Sequence, residues 1–182
     1  MFGVAGERWP HRLRPYLANR FRNTLYVNDQ TGYYDRFVAD DYRLSLGPTF
    51  GLNGGFVGAV GYTDVRKRKN YDIPVRTISQ AETPGKLIAF ASAQDRSIGE
   101  GSGYFSIESS DTWPAADISD PPADVSKDAD YGFVAFRYGG KAVTTFLDGH
   151  VELRTCAQLR DMRLWSNEAR RTDNPNYVPS SS

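Results

Sequence analysis

Hydrophobic residues in this chain come in short runs set between glycine, proline and acidic positions, and the clearest arrangement lies near the C-terminus. From Phe136 to Leu153 two turn signals separate three strand-like runs. Gly139-Gly140 and Asp148-Gly149 supply residues that reach positive φ without a Cβ clash, so each pair can close a hairpin of the right twist. The pattern predicts a three-strand antiparallel meander. His150 follows a two-residue turn into a strand, which predicts a half-exposed imidazole that hydrogen-bonds locally.

The rest of the chain is less regular. Leu87-Ile88-Ala89-Phe90-Ala91 is the most continuous apolar run and reads as a central strand, and Tyr104 to Ile107 as a shorter one. Leu13, Tyr16, Leu17 and Phe21 recur at spacings of three and four, which suits a short amphipathic helix or two turns broken near Pro15. Leu25-Tyr26-Val27 reads as a strand end. Tyr33 to Tyr42 shows no clear period and reads as irregular or weakly helical, and the glycine-rich Thr49 to Gly58 as a bend or bulge beside the sheet. Behind the meander, Thr155 with Gln158 makes a capping box, and Leu159, Met162 and Trp165 repeat at helical spacing. The expected fold is α+β: helical and irregular elements first, a mainly antiparallel sheet from Leu87 onward, and a short C-terminal helix. One domain spans residues 1–171, and the tail 172–182, with Pro175, Pro179 and three serines, is expected to be disordered.

Nine residues separate Tyr138 from Asp148, and Arg137, Gly139-Gly140 and Phe146-Leu147-Asp148-Gly149-His150-Val151 surround that interval. This arrangement resembles the C-terminal signature of prepilin-type, pseudopilin-like proteins of planctomycete and verrucomicrobial bacteria, defined by His, nine residues, then Asp-Gly. Tyr138 stands where the family has His. The segments Trp9 to Leu17 and Thr49 to Gly58 resemble two further stretches of the same family. The resemblance implies a pilin-like soluble head and a non-enzymatic structural subunit of a type II secretion or type IV pilus-like filament. Its partners would be copies of itself or related pseudopilins, in the periplasm or at the cell surface. The family's basic leader and long apolar anchor helix are not seen at the start of this sequence, so the chain reads as a head whose membrane attachment, to the inner membrane, would come only through that helix.

Composition narrows the alternatives. The 182 residues, 40% apolar, suffice for one core. Lysine plus arginine equals aspartate plus glutamate at 22 each, so no global field recruits nucleic acid or an anionic membrane. The charges are segregated, with Arg8, Arg12, Arg14, Arg20 and Arg22 near the N-terminus and seven acids between Glu108 and Asp130. Arg66 to Lys69 reads as an exposed loop tip. The longest low-charge stretch, 52–62, is about half of the roughly 20 residues a membrane helix needs.

Reactive chemistry has little to work with. Cys156 is the only cysteine and His11 and His150 the only histidines, which excludes an internal disulfide and leaves a catalytic zinc site short of ligands. Ser102 has Glu100 where a nucleophile elbow requires glycine, and no phosphate-binding glycine loop is present. Calcium is the more plausible ion, with Asp128, Asp130 and Asp148 as candidate ligands gathered at one end of the fold. Trp113, in the acidic loop, is the candidate platform for stacking on a sugar ring. Two alternatives to the filament subunit follow: a secreted glycan- or calcium-binding module, and a hydrolase using acidic residues.

Overall fold

The computed structural model describes residues 8–58, 74–114 and 127–179. It is a mixed α+β fold with a mostly antiparallel sheet and short helices. Five strands, β1 (Phe50–Asn53), β2 (Ile88–Ser92), β3 (Ser106–Ile107), β4 (Lys141–Phe146) and β5 (Val151–Thr155), lie in the order β3-β1-β2-β4-β5. β1–β2, β2–β4 and β4–β5 pair antiparallel, and β1–β3 parallel.

The sheet begins earlier than its apolar runs suggest. Phe50–Asn53 is an interior strand and not a bend beside the sheet, and its glycine explains the misreading. A Cβ at Gly51 would lie 2.7 Å from Ile107 Cγ2 and 2.9 Å from the Ser106 carbonyl carbon, so glycine is what lets β3 approach β1. The central strand falls one residue later than its hydrophobic run, and the strand expected from Tyr104 shrinks to Ser106–Ile107.

The strands serve two cores, and a register shift between Ile88 and Phe90 breaks strict alternation in β2. Ile88, Ala91, Ala142 and Phe146 point to a cluster with Trp113, Leu159, Met162 and Trp165. Leu52 joins the opposite cluster with Trp9, Phe21, Leu25, Tyr26, Tyr33 and Leu44, against which Phe90 packs. Buried Asn53 fastens one layer to the sheet, its Nδ2 donating to the carbonyls of Ile88 (3.0 Å) and Trp165 (3.1 Å).

The first layer is built from turns. α1 (Trp9–Leu13) passes into a 3-10 turn, Arg14–Leu17, which ends where Ala18 and Asn19 take positive φ. A break near Pro15 was one of the two forms expected, and it falls between Leu13 and Arg14, although Tyr16 faces solvent. Tyr33 to Tyr42 is more ordered than its pattern suggests: α2 (Thr31–Phe37) and α3 (Asp41–Leu46) straddle Asp40, whose carboxylate accepts from Arg43 N at 3.0 Å. Leu25 to Val27 forms a turn with only an Arg22–Tyr26 bridge. Burial raises the Tyr26 phenol well above its ordinary value, and that of Tyr33 to about 12.

The second layer follows β5. The capping box forms as expected, with Thr155 N donating to Gln158 Oε1 at 3.0 Å and Gln158 N to Thr155 Oγ1 at 3.3 Å. The single helix does not form. α4 (Cys156–Leu159) stops, Asp161 caps a 3-10 turn at Met162–Leu164, and Ser166 caps α5 (Asn167–Arg171). Leu159, Met162 and Trp165 are nonetheless all buried, because the breaks rotate the chain without lifting it from the sheet. Residues 172–179, expected to be disordered, lie on this layer: the Pro175 carbonyl accepts from Met162 N at 2.9 Å and Tyr177 packs on the core.

Candidate functional site

The signature residues form a hairpin whose two bends differ. Gly139 (φ +61°) and Gly140 (φ +76°) make a two-residue turn closed by reciprocal bonds between Tyr138 and Lys141, at 3.1 and 3.2 Å. The strand expected before it is reduced to isolated bridges, Tyr138 to Lys141 and Val134 to Ala93. The second bend is a three-residue loop, Leu147-Asp148-Gly149, and not a two-residue turn. Gly149 N donates to the Phe146 carbonyl and Phe146 N to the His150 carbonyl, both at 2.9 Å, and in this bend only Gly149, at +95°, has positive φ. Asp148 at negative φ cannot form the mirror-image turn, so the loop takes the extra residue.

His150 is held as its position suggested, partly exposed and locally bonded. Its ring stacks on Phe146 at 4.4 Å, Nδ1 lies 2.6 Å from Asp148 Oδ1 and Nε2 lies 3.2 Å from Glu152 Oε1. Glu152 also pairs with Arg154. The His150 backbone N–H and then its ring hold the Asp148 carboxyl below its ordinary range. The cluster fixes the hairpin tip. The Tyr138 hydroxyl accepts from Asn28 Nδ2 at 3.3 Å.

The calcium candidates do not converge. Asp148 lies beside Gly85, where a Cβ would be 2.7 Å from its Oδ2, ahead of β2. Asp128 lies beyond the other end of that strand on Arg96, accepting from its backbone N at 2.7 Å and from Nη1 at 2.6 Å. Five residues of β2 span roughly 17 Å, too far for one ion to bridge. Asp130 shares the 3-10 turn Asp128–Tyr131. Among the described residues no group of three or more His, Cys, Asp or Glu is placed to hold a metal ion.

Trp113 belongs to the core. It is 5% exposed, meets Trp165, Tyr131 and Phe136 edge to face at 5.9, 6.0 and 6.4 Å, and donates Nε1–H to the Glu108 carbonyl at 3.2 Å. Its environment could not be read from the acidic residues around it, because the partners come from distant parts of the chain. Most of the acidic loop, 115–126, and the basic run at Arg66 lie outside the described residues.

Two features remain that could engage something outside the fold. One is a recess of about 70 Å³ lined by Gln94, Arg96, Asp128, Tyr131, Phe136 and Arg137. It joins two residues singled out in the sequence, Arg137 and Asp128, to two that carried no signal, Gln94 and Arg96. Burial raises the Asp128 carboxyl, opposed by the Arg96 bonds, and burial lowers the Arg137 guanidinium.

The other is a sheet face. The N-terminal layer covers β1 and part of β2 and leaves the same side of β4 and β5 open. Register sets Thr145 opposite Val151 and Val143 opposite Leu153 on that side. Val151 is 58% and Leu153 52% exposed. The open face continues into an apolar groove lined by Trp9, Leu13, Leu25, Phe50, Phe90 and Thr145.

No described helix is long and apolar enough to cross a membrane. No family model, no curated protein and no solved structure matches this chain.

Proposed function

We propose that this chain is a structural assembly subunit, the extracytoplasmic head of a pseudopilin-like protein that packs beside copies of itself or related subunits in a filament. The observation that supports the reading best is the open apolar face of β4 and β5. Val151, Leu153, Val143 and Thr145 form a strip that runs into the groove beneath Trp9 and Phe90. A contiguous exposed apolar surface marks a place where another protein docks. The bend at Leu147 to Gly149 keeps β4 and β5 in register, so the strip is presented on a rigid hairpin and not on a loop.

In this reading the head stands in the periplasm or at the cell surface, and a membrane-anchored N-terminal helix holds it to the inner membrane. A secreted glycan- or calcium-binding module gains no support, since Trp113 is buried and Asp128 and Asp148 lie at opposite ends of β2.

The test is site-directed cross-linking of the full-length protein in the cells that make it. Cysteine replaces Val151 or Leu153 singly, with buried Cys156 left in place, and cysteine at exposed Lys127 serves as control. A ladder of cross-linked multiples from positions 151 and 153, and not from 127, is expected. Monomer alone at both positions overturns the reading.

A further inference from the structure

The two margins of the sheet are finished differently. Around β3 the chain is bonded to other segments: Phe105 N donates to the Leu46 carbonyl at 2.9 Å, Gly103 N to the Gly47 carbonyl at 3.0 Å and Glu108 N to the Gly132 carbonyl at 2.9 Å. β5 is the other margin, and no described strand or bridge pairs with its outer edge. Its ladder with β4 fixes which groups point outward. Phe146 N donates to the His150 carbonyl, so that pair is bonded and, by alternation, so are Thr144 with Glu152 and Ala142 with Arg154. The N–H and C=O of Val151 and Leu153 therefore point away from β4, and none of the four has a partner among the described residues. Thr155 closes the row, its N–H held by Gln158 Oε1. Proteins usually blunt such an edge with lysine, proline, a bulge or a covering segment. Here the residues with outward groups are a valine and a leucine, 58% and 52% exposed.

We propose that β5 pairs edge to edge with β5 of a second copy, antiparallel about a two-fold axis through Leu153. The run Val151-Glu152-Leu153-Arg154-Thr155 places an acid and a base symmetrically about its centre, which makes it complementary to itself and not to an arbitrary strand. With Leu153 on the axis, Glu152 of each copy lies opposite Arg154 of the other. Moving the axis to Glu152 or to Arg154 sets like charges directly opposite, which is destabilising. Glu152 and Arg154 already pair within one chain, and the Arg154 guanidinium lies 5.7 Å over the Phe146 ring, so in the pair four charges alternate in sign beside that ring. The two Leu153 residues exchange both backbone bonds, Val151 comes opposite Thr155, and the open faces of the two sheets join into one apolar strip across the axis. The pairing uses the edge of the hairpin and does not rest on the filament reading.

The experiment is sedimentation equilibrium of the whole chain at low ionic strength, up to about 1 mM, with charge-swapped variants. The parent is expected to form a dimer. Glu152→Arg and Arg154→Glu, each alone, set like charges opposite one another twice and should weaken self-association about tenfold or more. Mixing the two restores an acid opposite an arginine at both places, and so does the double swap in one chain; both should regain the parent's affinity. A parent that stays monomeric to about 1 mM, or single swaps that associate as the parent does, overturns the proposal. Glu152→Arg associating better with the parent than with Arg154→Glu overturns this register. If a variant folds poorly, amide exchange of the parent decides: protection of the Leu153 N–H should rise with chain concentration, and protection independent of concentration overturns the pairing. The swaps leave Val151 and Leu153 in place, so their outcome is separate from that of the filament reading.

Discussion

Gly149 provides the sharpest test of how the hairpin is built. Its φ is +95°, and a Cβ placed on it would meet nothing within 4 Å. Replacement by alanine therefore costs only the torsional penalty of an L-residue in the left-handed region, about 1–2 kcal/mol. Valine costs more, because β-branching narrows the allowed region further. For a chain of this size each kcal/mol lowers Tm by about 2–4 °C, so Gly149→Ala should melt about 2–8 °C below the parent. Gly51 is the opposite case. There the obstacle is Ile107 Cγ2 at 2.7 Å and the Ser106 backbone at 2.9 Å, and Gly51→Ala forces β3 away from β1 at about 1–3 kcal/mol. Urea unfolding measures both, read as a fall in midpoint at unchanged slope. Semisynthetic D-alanine separates the two causes. At position 149 it suits the backbone and should stabilise by about 0.4–1 kcal/mol by narrowing the unfolded ensemble. If L-alanine or valine at 149 unfolds with the parent, or D-alanine is as harmful as L-alanine, the torsional argument fails.

Trp113→Ala should lower stability by about 3–5 kcal/mol, as for a large aromatic removed from a core, with Trp113→Phe intermediate; a variant that melts with the parent but loses affinity for an oligosaccharide would restore the sugar-binding reading. The Asp148 carboxyl titrates lower in the folded chain than unfolded, chiefly through the His150 N–H. Its contribution is thus complete above its unfolded pKa of about 3.9 and is lost as pH falls through the lower folded value. The Tm gap between the parent and Asp148→Asn should therefore close as pH falls below about 4. A gap that widens below that pH would contradict this sign.

Much of the scaffold follows from local chemistry. Gly139-Gly140, the Thr155–Gln158 capping box and the Leu87 to Ala91 run each depend on neighbours within a few residues, and each appears where its pattern lies or one residue away. His150 was legible for the same reason, since its partners Asp148 and Glu152 are two residues away on either side. The breaks after Leu159 were less legible. Asp161 and Ser166 compete as caps with a helix that Leu159, Met162 and Trp165 would otherwise continue, and spacing alone does not say which wins.

By itself, then, the sequence determined an α+β chain with a glycine-closed C-terminal hairpin, because turn torsions, caps and apolar runs are short-range properties. Tertiary structure alone decided that Gly51 sits inside a strand, that Trp113 is core, that Asp128 answers Arg96 while Asp148 stays at the hairpin tip, and that one face of β4 and β5 is left open. Each of these depends on contacts between residues far apart in the chain, such as Trp113 with Trp165 or Gly51 with Ile107, and no local pattern encodes which distant surface a side chain will meet.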